Sequence, residues 1–212
     1  MMRLFDYSIE VILRNQSESG AYLACPNFSM YRYCWFRDGA FIAYAMDVAG
    51  EHPSARRFHN WAATNVLRRA DVVARAVAKA TAGQPLGGAD VLHTRYAVNG
   101  EEAEEDWPNF QLDGFGTWLW ALEEHHKRAG RPLEPAVLNA AGLVAEYLSA
   151  LWRLPCYDCW EEFPDQVHPH TLAAVFGGLE AYAAMSGREQ PAAEEIRAFL
   201  LAEAVSERRF VK

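Results

Sequence analysis

The chain has 212 residues, 51% hydrophobic and 23% charged, a composition ordinary for one soluble globular domain or for a piece of a larger one. Its formal charge of −8 argues against nucleic acid or an anionic membrane surface as a partner, because both are held mainly through Lys and Arg. No stretch approaches the ~18–20 uninterrupted apolar residues of a membrane span. The segment Met1-Met2-Arg3-Leu4-Phe5-Asp6 lacks the layout of a signal peptide, so a cytoplasmic location is expected.

Periodicity and end signals predict seven helices. The first covers about 3–15, with apolar Leu4, Ile9, Val11, Ile12 and Leu13, and stops before Ser17-Glu18-Ser19-Gly20. The second, about 38–50, opens at Asp38 and ends at Gly50. The third starts with Pro53 in its first turn and runs unbroken to about 81 along a stripe of Phe58, Trp61, Leu67, Val73 and Val77. A fourth begins at Asp113 and a fifth covers about 134–153. A sixth starts near Pro169, and a seventh covers about 191–206. No strand of comparable strength is visible, and the fold class is all-α.

Long and short connections alternate. Those after the first, third and fifth helices cover about 17–37, 82–112 and 154–168, whereas the others have roughly two to six residues. Among antiparallel helices this alternation places every long loop at one end. The layout is that of helical hairpins laid side by side, as an open solenoid or as a closed α/α barrel.

The long loops carry similar chemistry. The first ends in Tyr31-Arg32-Tyr33-Cys34-Trp35-Phe36-Arg37-Asp38, the second in Trp107-Pro108-Asn109-Phe110-Gln111-Leu112-Asp113, and the third holds Tyr157-Asp158-Cys159-Trp160-Glu161-Glu162. Each combines aromatic rings with carboxylates or amides. Sugar recognition uses that combination, since rings stack on C–H faces while polar groups bond to hydroxyls in fixed directions. Arg37-Asp38 and Asp113-Gly114 also read as ordinary helix starts. Glu161 beside Trp160 is expected to be a poorly solvated carboxyl group with a raised pKa, which suits a proton donor.

Cys25, Cys34, Cys156 and Cys159 are expected to be free thiols lining a pocket wall. The eight residues between the first two are too many for the usual spacing of a four-thiolate zinc site. His168-Pro169-His170 at a helix start is read as solvated, and the run Glu101-Glu102-Ala103-Glu104-Glu105-Asp106 as a solvated loop flank. No cofactor or metal is expected.

At these loops the chain resembles glycoside hydrolase family 15, the glucoamylase family. The likeness rests on Ser19-Gly20-Ala21-Tyr22-Leu23-Ala24, Tyr31 through Asp38, Trp107 through Gly114, and Asp158-Cys159-Trp160-Glu161-Glu162, and covers most of the chain. It implies that residues 1–212 are one incomplete catalytic domain, the N-terminal part of an (α/α)6 barrel. It further implies Glu161 as general acid of an inverting, exo-acting α-glucoside hydrolase. Arg37 and Asp38 would grip the terminal glucose, Tyr31 and Trp35 line its pocket, and Trp107 pack over the acid with Gln111 beside it. Asp158, Trp160 and Glu162 would bind substrate around the cleavage point. The partner is then an oligosaccharide, of malto- or isomalto-type, with a trehalose hydrolase or a non-catalytic sugar-binding domain as alternatives. The family's general base is expected beyond Lys212, and the open half-barrel is expected to expose apolar edges through which copies could associate.

Overall fold

In the computed structural model, which describes residues 3–103, 105–206 and 209–210, eight α-helices carry the architecture. They are α1 (Leu4–Asn15), α2 (Phe36–Val48), α3 (His52–Arg68), α4 (Ala70–Thr81), α5 (Asp113–Ala129), α6 (Pro135–Leu151), α7 (Pro169–Ser186) and α8 (Pro191–Glu203). Four two-residue strands accompany them: β1 (Cys34–Trp35), β2 (Arg95–Tyr96), β3 (Val205–Ser206) and β4 (Arg209–Phe210), with β1 antiparallel to β2 and β3 to β4. Met1, Met2, Glu104 of the acidic run, and Glu207, Arg208, Val211 and Lys212 of the C-terminal segment lie outside the described residues.

Two helical layers follow from the contacts. The inner layer is α2, α5 and α7, with α5 packed between the other two. The outer layer is α3 with α4, then α6, then α8. This is the α/α toroid arrangement that the alternating loops imply. The core between the layers is aromatic around Phe36, whose ring meets Trp61, Tyr96, Phe115 and Trp118 at centroid distances of 4.8–6.0 Å. Helix α1 contributes no buried residue; Leu4 and Phe5 are exposed.

Two glycines let α5 and α7 approach more closely than side chains would allow. A Cβ on Gly116 would come within 2.6 Å of the Ala174 carbonyl carbon, and one on Gly178 within 2.5 Å of the Gly116 carbonyl oxygen. Backbone thus meets backbone at the centre of the inner layer, directly beneath the long loops.

The unbroken helix expected from Pro53 to about 81 is two helices, split at Arg69, which has φ −116° and ψ 25°. No Gly or Pro marks the break. Arg69 instead turns its side chain to the second long loop: Nη2 donates to the Gly100 carbonyl (2.9 Å), Nε to Glu102 (2.8 Å), and the guanidinium lies 4.2 Å over the Tyr96 ring. Helix α2 also starts two residues earlier than expected, at Phe36, because β1 runs directly into it and the Phe36 amide donates to the Thr94 carbonyl.

Among the described residues no helix is long and apolar enough to cross a membrane. All four cysteines are free; Cys34 and Cys156 are buried.

Candidate active site

The three long loops meet at one end of the inner layer. Strands β1 and β2 join the first loop to the second, and the Tyr157 amide donates to the Phe110 carbonyl (3.0 Å), joining the third.

The third loop is folded around Asp158, which is 2% exposed. Its Oδ1 accepts from the amides of Trp160 (2.9 Å) and Glu162 (3.0 Å), and its own amide donates to the Glu162 carbonyl. This tight loop puts Glu161 at φ 66° and Phe163 at φ 49°, left-handed values that cost a non-glycine residue of order 1–3 kcal/mol and are found preferentially at functional sites. The base of the loop is held by His168, read from sequence as solvated but in fact 5% exposed. Its Nε2 faces the carbonyls of Cys156 (3.1 Å) and Phe163 (3.0 Å), so that nitrogen carries the proton. Its neighbour His170 is exposed as expected.

Glu161 points into the space between the loops. Its Oε1 accepts from three N–H groups: Trp107 Nε1 (2.9 Å), Trp35 Nε1 (3.0 Å) and Gln111 Nε2 (3.2 Å). The two indoles meet edge-on, 5.8 Å between centroids. The rings against the carboxylate are therefore Trp35 and Trp107, from other loops. Trp160, expected to shield it, is 75% exposed at the mouth.

Gln111 is the hub of the polar network. Its Nε2 also donates to the Pro108 carbonyl (2.7 Å), while its Oε1 accepts from Arg37 Nη1 (2.9 Å) and the Thr94 hydroxyl (3.2 Å). Arg37 Nη1 reaches Asp113 Oδ2 at 3.0 Å, and that carboxylate is fully buried. Burial opposes the Arg37 charge, but Asp113, with Asp38 and Glu161 beyond it, outweighs burial and raises the guanidinium pKa. Asp38 projects from the first turn of α2, 3.9 Å from Arg37 Nε. Burial lifts its pKa above the ordinary carboxylate value, with Arg37 opposing.

A cavity of ≈800 Å³ opens beside this network. Tyr31, Trp35, Arg37, Asp38, Trp160 and Glu161 line it, together with Phe41, Trp120 and His170 from the inner helices. Tyr31 lies against Trp35, 5.9 Å between ring centroids. Six of the ten residues singled out from sequence thus face one cavity. Trp107 and Gln111 lie behind Glu161 and hold it. Asp158 turns its Oδ1 into the loop backbone, and Glu162 is exposed outside the cavity lining.

Two residues of the site escaped sequence reasoning. Asp113, which reads as a helix start, is the buried counter-ion of Arg37. Arg95 is 1% exposed, with its guanidinium 3.8 Å over the Trp107 ring and 4.3 Å over that of Tyr33. Burial pushes its pKa down, opposed by Glu105 3.4 Å away. Glu102 and Glu105 are thereby paired with Arg69 and Arg95, where the sequence suggested only solvated carboxylates. The signal for Arg95 was available in its position between aromatic-rich segments, but only the β1–β2 pairing brings those rings to it.

Comparison with known proteins identifies the family. The profile of glycosyl hydrolases family 15 matches residues 6–193. The chain belongs to that family. It is 38% identical over 217 residues to an isomaltose glucohydrolase of Kribbella flavida, covering 97% of this chain and 56% of that protein. An uncharacterised glycosyl hydrolase of Methanocaldococcus jannaschii is 30% identical over 173 residues. A solved wild-type glycosidase superposes with a TM-score of 0.91 at 37% identity, covering 99% of this chain and 58% of that one. A glycosidase variant solved in complex with glucose gives the same values. This family 15 chain therefore spans little more than half the length of the Kribbella enzyme and of the solved glycosidases, and its match covers 24% of the Methanocaldococcus protein.

Proposed function

We propose that this family 15 chain forms the acid-bearing part of an exo-acting, inverting α-glucoside hydrolase that releases glucose from the non-reducing end of short isomalto- or malto-oligosaccharides. The observation that carries the reading is the convergence of Trp35, Trp107 and Gln111 on one oxygen of Glu161, at the wall of the cavity that holds Arg37 and Asp38. With Oε1 taken by three donors, the proton of the acid form sits on Oε2. Glu161 passes that proton to the glycosidic oxygen as the bond from the anomeric carbon breaks. A water attacks the opposite face of the sugar and gives its proton to a second carboxylate, roughly 6.5–9.5 Å from the acid. We assign that carboxylate to the portion of the family barrel that these residues do not span.

In this reading Arg37 and Asp38 bond the hydroxyls of a terminal glucose and Tyr31 and Trp35 stack on its C–H face, which their shared lining of one cavity supports. Similarity to an isomaltose glucohydrolase favours an α-1,6-linked disaccharide as first substrate. Self-association is assigned to the exposed apolar residues Val48 and Leu201 and is read by sedimentation velocity.

The test uses the protein with the whole family barrel and follows the anomeric protons of glucose released from isomaltose and maltose by NMR, for wild type and Glu161→Gln. Initial release of β-glucose, lost in the variant, is expected. Wild-type turnover in Glu161→Gln, or initial release of α-glucose, overturns the assignment. Saturable glucose binding without hydrolysis by the wild type would replace it with a sugar-binding role.

A further inference from the structure

At the opposite end of the bundle, where the short links run, lies a group of side chains that the sugar site does not use. Asp47 is in the last turn of α2, His52 opens α3, and His125 is in α5. His52 Nδ1 lies 2.7 Å from Asp47 Oδ1, and His125 Nδ1 lies 2.9 Å from both oxygens of the same carboxylate. One ligand atom from each residue falls within 4.8 Å of the other two, and this is the one such group of three among the described residues. Asp47 and His125 are buried, while His52 is partly open to solvent.

A second observation at this place is independent of those three. His59, on α3, is 1% exposed, and neither of its ring nitrogens has a hydrogen-bond partner among the described residues. Its ring centroid is 5.0 Å from that of His125, and both rings border a cavity of ≈300 Å³ also lined by Asn60 and Glu134. A buried imidazole with both nitrogens unpartnered costs of order 1–3 kcal/mol for each polar group left bare, and such a group calls for a water or an ion.

We propose that Asp47, His52 and His125 form a binding site for a divalent cation of the zinc class. Two imidazole nitrogens and one carboxylate oxygen suit a borderline cation, and hard cations such as Mg²⁺ or Ca²⁺ prefer a cage of oxygens. Three protein ligands leave a fourth tetrahedral position, which water fills from the open side at His52. Without metal, Nδ1 of each ring donates to Asp47. Binding puts the Nδ1 lone pair on the cation and moves that proton to Nε2, with no net change of charge on either ring. His125 then needs an acceptor for its Nε2–H, as metal-bound imidazoles generally do, and the bare nitrogens of His59 lie beside it. The cation ties together α2, α3 and α5 at the end remote from Glu161, and its role is to fasten the layers rather than to act on the sugar.

The test uses the whole chain, stripped with a chelator and dialysed. Titration with Zn²⁺ by calorimetry should give one saturable site, and Co²⁺ should give the visible absorption of a four-coordinate centre. The melting temperature should rise with Zn²⁺ and fall back on chelation. His52→Ala, chosen because this ring is partly exposed, should weaken binding by more than the ~10–100-fold typical of losing an outer-shell partner. His170→Ala, exposed at the other end, should leave binding unchanged. Absence of saturable binding to the wild type overturns the proposal, as does undiminished affinity in His52→Ala. Neither outcome bears on Glu161, because none of these measurements reads hydrolysis.

Discussion

Gly177 and Gly178 sit side by side in α7, yet the structure assigns them opposite responses to the same substitution. A Cβ on Gly177 meets nothing within 4 Å. A Cβ on Gly178 meets the Gly116 carbonyl oxygen at 2.5 Å and the Gly116 Cα at 2.7 Å. Both opposing atoms are backbone in the first turn of α5, so no rotamer change relieves the clash. Opening the contact from 2.5 to 3.4 Å, the edge of ordinary van der Waals distance, requires α5 and α7 to separate by about 0.9 Å. Overpacking of this kind costs about 1–3 kcal/mol, against which Ala recovers about 1 kcal/mol of helix propensity over Gly. Gly177→Ala is thus expected to stabilise by up to about 1 kcal/mol, and Gly178→Ala to destabilise by up to about 2 kcal/mol. The two variants differ by the overpacking cost of about 1–3 kcal/mol, so at roughly 2–4 °C per kcal/mol for a chain of this size their melting temperatures should differ by at least about 2 °C. Urea unfolding of both variants and of wild type provides the free energies directly. Equal stability of the two variants would refute the backbone contact between α5 and α7, and with it the close inner layer on which the site rests.

Three further outcomes follow from the site. Trp107→Phe keeps a ring against Glu161 but removes one of three N–H donors to its Oε1; a hydrogen bond to a charged group is worth about 1.5–3 kcal/mol, so kcat on isomaltose should fall about tenfold or more with a smaller change in KM. Asp158→Ala removes the acceptor for the Trp160 and Glu162 amides, whereas Asp158→Asn retains a carbonyl oxygen there; hydrogen exchange at 158–163 should accelerate strongly in the first and little in the second. Burial raises the Asp38 pKa. Between the unfolded and the raised folded value the folded state binds the additional proton, so this residue subtracts stability as pH rises through that window. Asp38→Asn should therefore melt above wild type at neutral pH and lose that advantage below the unfolded carboxylate pKa, while hydrolysis falls; a constant difference across thermal melts from pH 3 to 7 would contradict this.

The layer architecture was legible because each helix carries its own end signals. Pro53, Pro135, Pro169 and Pro191 stand in first turns, and Gly130 and Gly187 end α5 and α7 in left-handed conformations. The break at Arg69 was not, since its cause lies 31 residues away at Gly100. The same distinction holds in the site. Tyr31, Trp35, Arg37 and Asp38 share one cavity because they share one loop and helix start. The partners of Glu161 come from 50, 54 and 126 residues away; chain order alone offered its neighbour Trp160, and only the family resemblance pointed to Trp107 and Gln111. His52 and His59 lie on α3 and His125 on α5, with no metal-ligand spacing in the sequence, so only the packing of α2, α3 and α5 brings His52 and His125 to Asp47 and His59 beside them.

Local strain and distant support at Glu161 explain one another. A left-handed glutamate is unfavourable in isolation, so the loop must be held by bonds made elsewhere. Asp158 closes the turn from within, and His168 grips its two flanks through the Cys156 and Phe163 carbonyls. The three donors on Oε1 then fix the carboxyl group itself. Two of those donors are indoles flanked by Arg95, which can only stack on them because Glu105 and the Met30 carbonyl satisfy its charge. A carboxyl group held this way has one oxygen engaged by three donors, and on the proposed reading the other carries the proton. An acid that acts on a single glycosidic oxygen needs that asymmetry, and a glutamate serving only as a structural ion pair does not.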